Sequence, residues 1–233
     1  MSMVGPLAGW ICPSWCIVVA TMAIAVGTSG SAADAPPATD YEKVIAGRAE
    51  KIVAALDSAT DESRERARES LLHFFRATNA WHEAHGPRRK ELKSAQEEVA
   101  KAELAALEGE LATIRGAFLE RLSGDLSPKQ VEKVKDGLTY NVLHVTERAY
   151  HEMIETLTSE QKAKIHDWLV EARDLAISEG SSEAKHGVFG KYKGRINYYL
   201  SQQGYDLKQE ERGWQARRKA AAAAATSTTT EAK

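Results

Sequence analysis

The 233-residue sequence predicts an all-α fold, a single-domain helical bundle with a long helical hairpin. Three observations predict it. Apolar residues recur at spacings of three and four along most of the chain. No stretch sustains a period-two alternation of β-branched residues. Glycine and proline are sparse in the middle of the chain, so the periodic segments run with few breaks.

The first 33 residues stand apart, because they contain no Asp, Glu, Lys or Arg. Ile17 to Val26 (IVVATMAIAV) has the length of a signal-peptide apolar region and is shorter than the roughly 20 residues a bilayer span needs. Small residues follow, and cleavage after Ala32 or Ala33 satisfies the small-x-small rule; an uncleaved amino-terminal anchor is the alternative. The expected organisation is a signal peptide over 1–33, a linker over 34–39 holding Pro36 and Pro37, a helical domain over 40–216 and a low-complexity tail over 217–233. A periplasmic or secreted location follows, with no membrane span once the leader is cleaved. Cys12 and Cys16, the only cysteines, lie in the leader. A mature chain therefore has no disulfide, thiol nucleophile or thiolate metal site.

The helices can be taken in order. Thr39-Asp40-Tyr41-Glu42 has the capping-box form, and Ile45, Ala49, Ile52 and Leu56 follow at helical spacing. A second helix starts after Thr60 or Asp61, with the stripe Ala67, Leu71, Phe74, Thr78 and Trp81. It is expected to stop near Gly86-Pro87, since proline disfavours helix in the residue before it. A third is expected from about Arg88 to Leu122, some 50 Å at 1.5 Å per residue, with Leu107, Leu111, Ile114, Phe118 and Leu122 as its stripe. Next, LSPKQVEKVKDGL (Leu126 to Leu138) repeats as LTSEQKAKIHDWL (Leu157 to Leu169). In both copies a hydroxyl residue, Ser127 or Thr158, is followed three residues later by Gln130 or Gln161, which is a helix start. Pro128 occupies the first helical position, where its missing N–H costs nothing. Gly180 is expected to end a helix in the left-handed conformation, with Ser181 or Ser182 opening a short turn.

A formal charge of −2, with charged residues at 27% and spread along the chain, argues against a nucleic-acid partner. No Gly-x-Ser-x-Gly elbow is present. Gly190-Lys191 is followed by Tyr192, so the glycines around it make no phosphate loop. His82 and His85 lack a third metal ligand, and no metal or cofactor is expected. His144, Glu147 and His151 would line one face of a single helix. Thr139-Tyr140-Asn141 after Gly137 instead suggests a break that scatters them.

The most distinctive stretch is SSEAKHGVFGKYKGRINYYLSQQGYDL, Ser181 to Leu207. From Ser181 to Lys208 it carries Lys185, Lys191, Lys193, Arg195 and Lys208 against only Glu183 and Asp206. Cationic donors beside aromatic faces suit a glycan or an anionic small molecule. The candidate ligand-binding residues are Lys185, His186, Lys191, Tyr192, Lys193 and Arg195. A structural role is equally concrete: Phe189 fills the core, and Tyr192, Ile196 and Tyr199 form a helix stripe.

The segments LSPKQVEKVKDGLTYNV and AYHEMIETLTSEQ onward, above all Lys185-His186, Phe189 to Arg195, Ile196 and Asn197, resemble domain-of-unknown-function family 3826. That resemblance implies an exported bacterial protein in a carbohydrate-utilising setting, and it supplies no activity or catalytic residue. The two Leu-x-x-x-Gln copies also resemble small Leu-Thr-x-x-Gln periplasmic chaperones, which implies a protein client as partner. Two functions stay open. The first is a non-catalytic binding or chaperone-like module. The second is an extracytoplasmic enzyme acting on polysaccharide, for which sequence alone pairs no two carboxylates.

Overall fold

The computed structural model describes residues 40–231, and the side chains of 40–223. The leader, its two cysteines, the linker over 34–39 and the Thr39 cap lie outside the described residues. Every regular element described is a helix: α1 (Asp40–Ala54), α2 (Asp61–Ser94), α3 (Glu98–Asp125), α4 (Pro128–Leu138), α5 (Val142–Met153), α6 (Ser159–Ala176), α7 (Ser182–Gln202) and α8 (Leu207–Glu231). No described helix is long and apolar enough to cross a membrane.

The long hairpin is α2 with α3. The Oγ1 of Thr60 accepts from the Ser63 N–H at 3.1 Å and starts α2. Its stripe Ala67, Leu71, Phe74, Thr78 and Trp81 is buried. The expected stop at Gly86-Pro87 does not occur. Pro87 lies inside α2, which runs to Ser94, so the third helix begins at Glu98 rather than at Arg88. Pro87 is exposed and forfeits only its own hydrogen bond to the turn before it. Two residues beyond it are buried: Arg89, which is tied to carboxylates, and Leu92. Their burial holds the last two turns against the proline. α2 is thus 34 residues, about 51 Å, and α3 is 28, about 42 Å. Phe74 stacks on Phe118 across the hairpin, with centroids 4.1 Å apart.

Both repeated helix starts form capping boxes. Ser127 N and Thr158 N each donate to the Oε1 of the glutamine three residues on, at 2.9 Å. Leu126 and Val131 are both buried and staple the entry to α4. The break before α5 is present, with Tyr140 and Asn141 left-handed at φ 56° and 55°. It ends before Val142, however, so His144, Glu147 and His151 share α5 and are not scattered.

Gly180 also departs from the expectation. It does not carry a left-handed φ; Gly204 is the only described glycine that does. Glycine is needed at 180 for a different reason: a Cβ there would stand 2.8 Å from Cδ2 of His82. Ser181 does not open a short turn either. Its Oγ accepts from Ala184 N at 3.0 Å and caps the 21 residues of α7. From Ser182 to Gln202 the basic stretch is therefore one continuous helix, and only Gly204 and Tyr205 of its glycines and tyrosines fall in the turn after it.

The core has two main clusters. One joins α1, α2, α3 and α4 around Leu71, Phe74, Leu122 and Val134. The other joins α5, α6 and α7 around Leu143, Ile165, Leu169, Phe189 and Ile196. Phe189 is 1% exposed, so it does fill the core. Buried polar groups sit where the two clusters meet. Arg173 pairs with Asp136 at 2.7 Å and also with Glu132. His82 Nε2 lies 2.8 Å from the carbonyl oxygen of Ser178. The connector between α6 and α7 is wedged into this junction.

Candidate functional site: a cationic groove at the junction

One groove, of about 360 Å³, opens where α7 meets the long hairpin. α2 contributes Arg89 and Lys93, α3 contributes Glu108, Leu111 and Arg115, the connector contributes Ser178 and Glu179, and α7 contributes Lys191 and Tyr192. Four cations thus face two acids, and both acids are already engaged. The Nε and Nη2 of Arg89 donate to Glu108 at 2.8 and 3.0 Å, while its Nη1 and Nη2 donate to Glu179 at 2.8 Å. A second cleft, lined by His82, Lys90, Lys93 and Ser181, flanks the same Arg89–Glu179 pair.

The electrostatics follow from these contacts. Burial by itself would raise the Glu179 carboxyl, but the Arg89 hydrogen bonds and the charges of Arg89, Lys93 and His82 hold it below the usual carboxylate range. It is ionised, so it cannot serve as a general acid near neutral pH. Desolvation lowers the Lys93 amine, and the neighbouring Arg89 and Lys191 charges add to that. Like charges crowded in this way are a feature that an incoming anion relieves. Arg115 is half-buried, and its Nη1 donates to Ser178 Oγ at 3.1 Å. Among the described residues it has no carboxylate partner. Burial, together with a hydrogen bond to Glu171, pushes the Tyr192 hydroxyl up to about 12.

The six expected ligand residues are distributed over several sides of α7. Lys191 and Tyr192 line the groove. Lys193, two residues on and about 200° round the helix from Lys191, is exposed on another face. Arg195 lies with its guanidinium 4.6 Å from the Trp168 ring and 3.5 Å from Glu171. His186 stacks on Tyr140, with centroids 6.1 Å apart. Lys185 points into the core. Its Nζ donates to the carbonyls of Leu138 at 2.8 Å and Ile177 at 3.4 Å, at the ends of α4 and α6. Burial, followed by the charge of Arg48, brings that amine down to about 8.

The groove residues on the hairpin were not singled out from the sequence, although a signal existed. Arg89 continues the stripe of Trp81 and His85 and precedes Leu92, so it is a charge at a core position of α2. Ending the helix at Pro87 removes it from that stripe. Arg115 likewise follows Leu111 by four residues and precedes Phe118 by three, on an otherwise apolar face.

The other polar clusters have local explanations. His144 Nε2 lies 2.8 Å from Asp136, which Arg173 also holds. His85 and His82 both pack on Trp81. Among the described residues no three His, Cys, Asp or Glu side chains converge as a metal site.

A family model described as "Protein of unknown function (DUF3826)" matches residues 42–220, which spans α1 from its first turn to the alanine run of α8. No curated protein matches the chain.

Proposed function

The chain belongs to the DUF3826 family of proteins of unknown function, and from that premise we propose that it is an exported, non-catalytic binding protein whose groove takes a small anion or an acidic sugar. The observation that carries this reading is the charge of the groove. Arg89, Lys93, Arg115 and Lys191 converge there from three helices, and the two acids that line it are both bound by Arg89, with Lys93 also 3.9 Å from Glu108. Guanidinium donors held at fixed angles suit planar or tetrahedral oxyanions. Leu111, Leu175, Val188 and Tyr192 add the apolar lining that a sugar ring needs beside its acid group.

The enzyme reading requires a protonated acid or an activated nucleophile in the groove. The buried carboxyl present is held ionised, and the Tyr192 hydroxyl is pushed up to about 12, out of reach of base catalysis near neutral pH. Both facts favour binding over turnover. Export rests on the uncharged, apolar leader and the small residues after it.

Isothermal titration of the full chain with phosphate, sulfate and galacturonate tests the groove. At least one of the three is expected to bind, with affinity falling as salt rises, and Arg115→Ala is expected to abolish it. Failure of all three overturns the reading.

A further inference from the structure

We propose that the groove is one end of a longer track, and that its ligand is a linear acidic oligosaccharide rather than a single sugar acid; this rests on the groove reading above. The track is the seam between α6 and α7. Lys164, Trp168, Glu171 and Leu175 follow one another at three- and four-residue spacing on α6, and Lys191, Arg195 and Tyr199 do so on α7. The two rows meet in register. Leu175 and Lys191 both line the groove. One turn along, Arg195 lies 3.5 Å from Glu171 and 4.6 Å from the Trp168 ring. At the far end, Trp168 and Tyr199 meet edge to face at 5.4 Å, and Lys164 Nζ stands 5.3 and 5.0 Å from their rings. From Leu175 back to Lys164 the row covers about 16 Å.

The far end is itself built for an oxyanion. Trp168 fixes the plane of the Arg195 guanidinium, which leaves its N–H edge for a carboxylate. The competing acid, Glu171, is half-exposed, and a solvent-screened pair of that kind is weak, so a ligand carboxylate can displace it. Lys191 and Arg195 are four residues apart, about 6 Å along α7, so successive acid groups of one chain can meet successive cations. The half-buried ring of Tyr192, which lines the groove, adds an apolar surface of the kind pyranose C–H groups pack on. An acidic peptide fits less well. The seam has no sheet edge to extend, and its exposed apolar residue, Leu175, makes no groove for an amphipathic helix.

The test is titration of the full chain with galacturonate and with oligogalacturonides of increasing length. Affinity is expected to rise at least about tenfold from monomer to the longest oligomer, because engagement of the first site makes the second intramolecular. Replacing Lys164 and Arg195 together with alanine is expected to flatten that rise while monomer binding persists. Both side chains are exposed, so the fold should tolerate the change. Equal affinity for monomer and oligomer overturns the track and leaves the groove reading intact. Polyaspartate binding as tightly as the oligogalacturonides also overturns it. Binding of phosphate or sulfate with no binding of any sugar acid overturns the track alone, whereas failure of every anion removes the groove as well.

Discussion

The guanidinium of Arg89 grips the carboxylate of Glu179, 90 residues further along the chain, through two hydrogen bonds of 2.8 Å. Both side chains are only 9% exposed. This pair ties the hairpin to the connector before α7 and so shapes the groove. Removing one partner of a buried pair strands the other charge, at a cost of about 3–5 kcal/mol. Arg89→Ala is therefore expected to lower the denaturation midpoint sharply, measured by urea unfolding followed by circular dichroism.

The same pair predicts an acid response. The folded-state pKa of Glu179 is below its ordinary 4.5. Its contribution is present above 4.5 and is lost as pH falls through the depressed folded value. Glu179→Gln should be less stable than the unsubstituted chain at pH 7, and the gap should narrow below pH 4.5. Melting curves at pH 7 and at successively lower pH measure it; a gap constant with pH is the contrary result.

Gly180 is expected to tolerate no side chain while His82 is in place. Gly180→Ala puts a methyl 2.8 Å from the imidazole Cδ2, and overpacking of that kind costs about 1–3 kcal/mol. In a His82→Ala background the same change should cost much less, so a double-mutant cycle of unfolding free energies checks the contact.

Lys185 predicts a slope of the same sign as Glu179, in an alkaline window. Burial brings its amine down to about 8 from an ordinary 10.5. Between those values the unfolded chain holds the extra proton, so this residue makes stability rise with pH. Lys185→Met should remove that rise, seen as the difference between the two melting profiles from pH 7 to 10.

Phe189→Ala tests the second core cluster. The ring is 1% exposed, and truncating a buried aromatic costs about 3–5 kcal/mol. A substitution without effect on thermal unfolding would mean that the ring is not a core residue.

Much of this architecture was legible in the sequence because its causes are local. Capping boxes at Ser127 and Thr158, and stripes such as Leu71, Phe74, Thr78 and Trp81, specify helices and their inner faces without reference to the rest of the chain. What could not be read depended on tertiary partners. Pro87 is a local stop signal, overridden because Arg89 and Leu92 find buried partners beyond it. Gly180 resembles a left-handed cap, yet its role is set by a histidine nearly a hundred residues away. The groove was half legible: Lys191 and Tyr192 were visible in the basic stretch, whereas Arg89 and Arg115 become groove residues only when the hairpin meets α7. Lys185 looked like its neighbours in charge, and only its position on the inner stripe with Phe189 separates it from them.

The most direct test of anion capture in the groove compares two lysines that stand two residues apart in the sequence and on different faces of the helix. Thermal unfolding is followed with and without saturating galacturonate or phosphate, whichever binds, for Lys191→Ala and Lys193→Ala. Neither change should alter the ligand-free melting temperature much, because both side chains are exposed. The ligand-induced rise should be lost in Lys191→Ala and kept in Lys193→Ala. Loss in both, or retention in both, would contradict the account.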